Sequence, residues 1–311
     1  MLNRRHLRVR VLQFVYSWNR TKHSDIDKLE KQFLKSLEKV EELYLYLLLL
    51  IVEIRDFASH YQDEAKNKQL PTSEDLNPNP KFINNAFIQK LKDDSGLITK
   101  CNQHKLSFTG HQSLVRSLYF KMRESTIYTN YISTEGNDFQ DDKKFTLQFF
   151  SKWLIDIESL QDFLNEKNMF WDDDLPFISS MVVKTIKDAN ESEIQLFPLF
   201  KNKDDKHFSI NLLRQSVIND AKFSELISNK TQNWEIERVA QMDLILMQMA
   251  LAELLKMPDI PIKVSINEYL ELAKYYSTSN SKSFVNGILD NLMVELKEKG
   301  LIKKSGRGLI E

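Results

Sequence analysis

The sequence predicts an all-α protein, and three features carry that expectation. Glycine and proline number only 7 each in 311 residues, so few positions demand special backbone angles and long unbroken elements are allowed. Leu, Lys, Glu and Gln, all good helix formers, abound. The apolar residues recur at spacings of three and four instead of alternating, which is the period of a helix face.

From Leu7 to Trp18, apolar residues at 7, 11, 14, 15 and 18 draw one stripe, in a helix that begins near Arg4. A second amphipathic stretch, Asp25 to Lys39, and an apolar run from Leu43 to about Tyr61 predict two more helices, so residues 1–61 read as a three-helix N-terminal bundle. Residues 62–205 change in texture: a polar loop containing proline (Leu70 to Pro80) is followed by a less regular region with Gly96, Gly110 and Gly136. Helical patterns recur there over Gln112 to Ile132 and Lys143 to Asn165. This segment reads as an inserted helical region of unknown role, in which Phe149, Phe150, Trp153 and Trp171 belong to a core.

Strong periodicity returns in 206–297 over Phe208 to Ser228, Ile236 to Leu255, Ser265 to Tyr276 and Ser283 to Lys297, a C-terminal bundle followed by a basic tail, 298–311. Ser265 and Glu268 have the S-x-x-E spacing of a capping box, which predicts a helix start at Ser265. Gly287, inside the last helix, points to the close approach of another helix or a partner, core packing being the plainer reading. Val285, Ile288 and Leu289 are expected in the core.

Several classes are excluded. The ten apolar residues from Leu43 to Val52 fall short of the roughly 20 a membrane span needs, and no secretory leader is visible at the start. One cysteine, Cys101, and six scattered histidines offer no disulfide and no zinc spacing, which fits a reducing cytoplasm and an inert Cys101. No G-x-G-x-x-G, Walker sequence or Cys-x-x-Cys occurs, so neither catalysis, a metal nor a cofactor is expected.

Lys and Arg total 43 against 44 Asp and Glu, so a nucleic-acid surface requires segregated charge. Residues 1–24 provide it: Arg4, Arg5, Arg8, Arg10, Arg20 and Lys22 occur there without one acidic residue. Arginines at a helix N-terminus oppose its dipole by about 0.3–1 kcal/mol each, so a ligand is expected to supply negative charge, as phosphates do. Gln13, Tyr16 and Trp18 offer amide and stacking groups of the kind single-stranded RNA engages, although Trp18 also continues the apolar stripe. A solvated basic helix end without a ligand, and duplex DNA, are alternatives that the residues leave open.

The opening Asn3 to Trp18 resembles the start of NusB proteins, whose arginine-rich segment runs into a helix reading roughly A-x-Q-A-L-Y-x-W. A second block resembles the same family more closely: Trp234-Glu235-Ile236-Glu237-Arg238-Val239-Ala240, Asp243, Ala252-Glu253-Leu254, Pro258 to Glu268, Glu271-Leu272-Ala273-Lys274 and Phe284-Val285-Asn286-Gly287-Ile288-Leu289-Asp290. The resemblance implies a pair of helical bundles, here with a long helical insertion. It also implies a transcription antitermination factor that pairs with NusE, a protein of the small ribosomal subunit, and binds boxA-type, single-stranded RNA in nascent ribosomal RNA transcripts, within the elongation complex.

By position, the resemblance makes Arg4, Arg5, His6, Arg8, Gln13 and Tyr16 RNA contacts, with Arg10 at a matching position that many members leave uncharged. Members carry an acidic residue and Ser-His-Lys before the last motif, whereas this chain reads Asn280-Ser281-Lys282-Ser283. RNA binding is expected to survive that departure, through Asn280, Lys282, Phe284 and Asn286. NusB-like modules also precede some RNA methyltransferases, but the α/β cofactor domain those carry has no counterpart in this sequence. A helical protein-binding scaffold without RNA contact is the competing class.

Overall fold

The computed structural model describes residues 1–21, 25–136, 138–230 and 240–309. Among them the regular structure is helical, and the one β feature is an isolated parallel bridge between Leu2 and Phe200. The all-α expectation therefore holds. Lys22 and the stretch Trp234 to Val239 lie outside the described residues.

The chain forms two compact units, one of residues 36–199 with Met1 and one of residues 2–35 with 200–311. Residues 1–61, read from the sequence as one bundle, are thus divided between them. Helix α1 is Arg4–Thr21, and α2 is a single helix of 41 residues, Ile26–Lys66. The sequence pattern predicts two helices in place of α2. The intervening Val40-Glu41-Glu42 contains no glycine, proline or capping residue, so nothing stops the helix there.

In the unit of residues 36–199, the buried run Leu43 to Leu48 of α2 lies in the core. Around it stand α3 (Ser73–Leu76), α4 (Ala86–Lys92), α5 (Ser95–Gln103), α6 (Gln112–Arg123), α7 (Thr126–Ser133), α8 (Phe139–Lys152), α9 (Glu158–Lys167) and α10 (Trp171–Asp188). Trp171 Nε1 donates to the Lys39 carbonyl at 2.8 Å, and the Tyr44 hydroxyl meets that of Thr185. Two helices expected to be continuous are broken. Ser125 caps α7, its hydroxyl accepting from the Tyr128 N–H, and Trp153 ends α8 in a non-helical conformation before a 3-10 turn. Phe149, Phe150 and Trp171 are buried, and burial pushes the Cys101 thiol up to about 11, which fits an inert cysteine.

A buried polar knot fixes this unit. The Asp142 carboxylate, fully buried, accepts from the Tyr131 hydroxyl and from the Ala86 N–H at 2.6 Å. Asn85 donates to the Asp142 carbonyl at 3.2 Å and caps α4 through the Ile88 N–H at 2.9 Å.

The unit of residues 2–35 and 200–311 contains α1, α11 (Asp205–Ile218), α12 (Asp220–Ser228), α13 (Gln241–Lys256), α14 (Ile262–Tyr276) and α15 (Ser281–Glu298). Helix α13, buried on nearly every side from Ile245 to Leu254, is its axis; α1, α11, α12, α14 and α15 all pack on it. The expected helix over Phe208 to Ser228 is split at Asn219, whose side chain turns back to the Gln215 carbonyl at 2.9 Å. Val285, Ile288 and Leu289 are buried as expected. Gly287 is not: it is exposed, and a Cβ there would meet nothing within 4 Å, so core packing does not explain it.

Replacing Asp142 by Ala leaves a buried hydroxyl and a backbone N–H without their acceptor. The expected result is a loss of about 2–4 kcal/mol of unfolding free energy in urea titration.

Candidate nucleic-acid interface

Helix α1 is held at its start by backbone and cap. Lys201 N–H donates to the Leu2 carbonyl at 3.0 Å, extending the bridge to Phe200. Asn3 is the N-cap, its Oδ1 accepting from the His6 N–H at 3.1 Å, which satisfies one of the donors left open at a helix start. This cap was legible as an Asn before the first helical residue, yet it escapes a reading focused on charge.

Leu7, Val11 and Val15 form the buried stripe of α1, and Arg5, Gln13, Tyr16 and Arg20 lie on a more exposed side. Arg20 stands over the Tyr16 ring at 5.9 Å. His6 is half-buried, and burial followed by the charge of Arg5 lowers its pKa. Gln13 is also half-buried, while Arg10 is only 4% exposed.

The arginines do not stand unopposed. Arg4 Nε meets Asp205 at 3.2 Å and its guanidinium lies 4.9 Å from the Phe208 ring centre. Arg5 grips Glu268 with two hydrogen bonds of 2.7 and 3.0 Å. Arg8, 2% exposed, grips Glu253 with two of 2.7 and 2.8 Å, and approaches Glu268 at 3.5 Å. The sequence asked a ligand for the negative charge that α1 lacks; the fold supplies it from α11, α13 and α14.

The Glu253 carboxylate also accepts from the Ser265 hydroxyl at 2.8 Å and the Tyr269 hydroxyl at 3.0 Å. Burial opposes the Arg8 charge, but the hydrogen bonds and charge of Glu253 outweigh it and raise the guanidinium pKa. Burial and the Glu253 charge hold the Tyr269 phenol far above its usual range. These partners correct the capping-box expectation. Helix α14 begins at Ile262 after Pro261, and Ser265 and Glu268, already inside it, serve Glu253 and the arginines.

The second predicted segment is set by a buried serine. Ser281 donates to Asp243 at 2.8 Å and accepts from the Thr278 N–H at 3.1 Å, fixing the turn before α15. Asn280 and Lys282 flank it and are exposed. Lys282 pairs with Glu271 at 3.0 Å, one turn along α14 from Glu268. Arg5 and Lys282, 277 positions apart in sequence, therefore flank one face of α14, and Glu271 adds to the field that raises the Arg5 pKa.

A cleft of about 550 Å³ opens beside Arg4 and Arg5, walled by Asn3, Pro261 and Val264. Phe284 is half-buried, and Asn286 lies elsewhere, donating to Asp290 at 2.9 Å and lining a different cleft. Among the described residues, no group of three or more His, Cys, Asp or Glu side chains is placed to hold a metal ion, and no helix is long and apolar enough to cross a membrane.

Residues 180–294 match the model of the NusB family. Among similar proteins, the transcription antitermination protein NusB of Salinibacter ruber is 41% identical over 113 residues, 36% of this chain and 71% of that protein. Its namesake in Chloroherpeton thalassium is 45% identical over 106 residues, covering 34% of this chain and 50% of the relative. The chain belongs to the NusB family.

The namesake in Geotalea uraniireducens is 40% identical over 92 residues, 30% of this chain and 63% of the relative. The chain thus spans between half and about seven tenths of the length of these NusB relatives. A solved structure of T. maritima NusB is 28% identical, with 51% of this chain and 96% of that one covered and a TM-score of 0.30. The residues matched to the NusB family hold Asp205, Glu253 and Glu268, the acids on which the arginines of α1 close, although α1 itself lies outside the match.

Removing one partner of a buried pair strands the other charge, so Arg8→Ala is expected to lower stability by about 3–5 kcal/mol in urea unfolding. The Glu268 pKa lies below its ordinary 4.5, chiefly through the hydrogen bonds from Arg5. Its contribution is therefore complete above that value and lost as pH falls through the lower folded one. Melting temperature should drop less steeply below pH 4.5 in Glu268→Gln than in the parent chain.

Proposed function

We propose that this chain is a transcription antitermination factor that binds boxA-type, single-stranded RNA together with NusE, acting within the elongation complex in the cytoplasm. It is a binding protein and not an enzyme. The observation that carries this reading is that Arg5 and Lys282, from the two separately predicted segments, pair with Glu268 and Glu271 on one face of α14.

Exposed ion pairs contribute only about 0–1 kcal/mol, so Arg5, whose side chain is 52% exposed, exchanges Glu268 for a phosphate at little cost. Arg4, whose side chain is 39% exposed, offers its outer face to a phosphate while it keeps the buried Asp205, with Gln13 and Tyr16 further along α1. Arg8, buried on Glu253, holds α1 in place, and neither it nor Arg10, also nearly fully buried, touches RNA directly. Phe284, half-buried, and His6 support the surface more than they read bases. The role is assigned to the bundle of residues 2–35 and 200–311, and none is assigned to the helices of 36–199.

The protein-binding scaffold reading draws on the same ion pairs, since acids that neutralise Arg4 and Arg5 weaken the attraction for a polyanion. Salt dependence separates the two, because each phosphate that the protein neutralises steepens the fall of affinity with rising salt. Fluorescence titration of boxA RNA, with NusE present, should show that steep fall. Arg4→Ala with Arg5→Ala should weaken binding about tenfold or more at low salt; Arg5→Ala alone should leave the melting temperature nearly unchanged, whereas Arg4→Ala, which strands the buried Asp205, should lower it. Negligible affinity for boxA RNA in the parent chain would favour the scaffold.

A further inference from the structure

We propose that a cleft walled by α14, α15 and the C-terminal tail is a second binding site, one that takes the phosphate backbone of the same RNA strand without reading its sequence. The inference rests on the RNA-binding role proposed above and adds a site that the arginine helix does not contain.

The tail is built into the fold. Lys304 Nζ donates to the Met257 carbonyl at 2.9 Å and reaches the Glu253 carbonyl at 3.4 Å, placing a cation on the last carbonyls of α13, where the helix dipole favours it. The Ser305 N–H donates to the Pro258 carbonyl at 3.1 Å. At Gly308 a Cβ would lie 1.8 Å from the Pro258 oxygen, so only glycine allows the tail to pass this close. Ile302 to Lys304, with Gly308 and Leu309, therefore form a defined third wall of a cleft of about 930 Å³.

Three of the cleft's four lysines are uncommitted, Lys304 being held by carbonyls. Lys263 of α14, Lys297 of α15 and Lys303 of the tail are all exposed and make no ion pair among the described residues. By contrast, Arg4, Arg5, Arg8 and Lys282 are each paired with an acid. Among the described residues the one acid lining the cleft, Asp290, is engaged by Asn286, a residue the sequence marked for RNA contact. Among the described residues no aromatic ring lines the cleft, whose floor is aliphatic, with Ile266, Met293 and Ile302. Bases find no stacking platform there, so the feature recognised is charge, and recognition by charge alone carries no sequence information.

The cleft also adjoins the first one. Lys263 stands between Pro261 and Val264, which line the Arg4–Arg5 cleft, and the Ser305 hydroxyl reaches Asp259 of that lining at 3.4 Å. A strand leaving Arg5 across the first turn of α14 enters the lysine cleft next.

The test uses the full chain with NusE and two labelled RNAs, a boxA-type strand of about 12 nucleotides and the same element extended to about 24 by a homopolymer. In Lys263→Gln, Lys297→Gln, Lys303→Gln, affinity for the longer RNA should fall about tenfold at low salt. Its log–log salt slope should become shallower by about 2, near 0.7 for each phosphate no longer neutralised. Affinity for the shorter RNA should hold, and changing the homopolymer's base should not alter the result. Unchanged affinity for the longer RNA overturns the proposal while the Arg4, Arg5 result stands by itself. Binding of a Leu/Glu amphipathic peptide that the triple variant loses, with RNA affinity unchanged, overturns it in favour of a protein partner. If the parent chain binds neither RNA, the antitermination reading fails first.

Discussion

The bundle that belongs to the NusB family depends on one buried ion pair. Arg8 and Glu253 are both withdrawn from water, and two charges so placed are tolerated only when their hydrogen-bonding capacity is met. Here it is: Arg8 gives two hydrogen bonds, and Ser265 and Tyr269 give the carboxylate two more. The four residues come from α1, α13 and α14, so satisfying the pair fixes the rotation and depth of three helices at once. An aliphatic contact tolerates sliding; a fork of two hydrogen bonds onto one carboxylate does not.

Everything argued about ligand binding follows from where this pair leaves the remaining charges. With Arg8 committed inward, Arg5 is presented outward on Glu268, and Glu271 presents Lys282 one turn further along α14. The same end of α13 recruits Lys304, which draws the tail across and leaves Lys263, Lys297 and Lys303 around an open cleft. Electrostatic roles in this bundle are thus graded by burial: inner cations specify geometry, and outer ones remain available for exchange.

Much of the helical architecture was legible in advance, and the misreadings share a cause. Helix existence follows from periodicity, so α1, α13, α14 and α15 stand close to where the pattern puts them. Helix breaks follow from local competition that periodicity does not record. Val40-Glu41-Glu42 looks like a joint because the apolar pattern pauses, yet every residue there is compatible with helix, and α2 runs on. Ser125, Trp153 and Asn219 break patterns that look continuous. Ser265 and Glu268 have the spacing of a cap, but a buried carboxylate and two arginines offer them better partners than the backbone does.

The sequence by itself determined the all-helical class, the poverty of catalytic and metal-binding motifs, the concentration of arginine in the first twenty residues and the segments that resemble NusB proteins. These depend on composition and local order, which survive without a fold. Only the tertiary structure decided which arginines face water and which acids oppose them, because Arg5 and Glu268, or Arg8 and Glu253, are neighbours in space and more than 240 positions apart along the chain. A charge count within one segment cannot see a partner that the fold brings to it. Nor can it see cations such as Lys263 and Lys303, scattered in sequence, that a tail crossing at Gly308 gathers around one cleft.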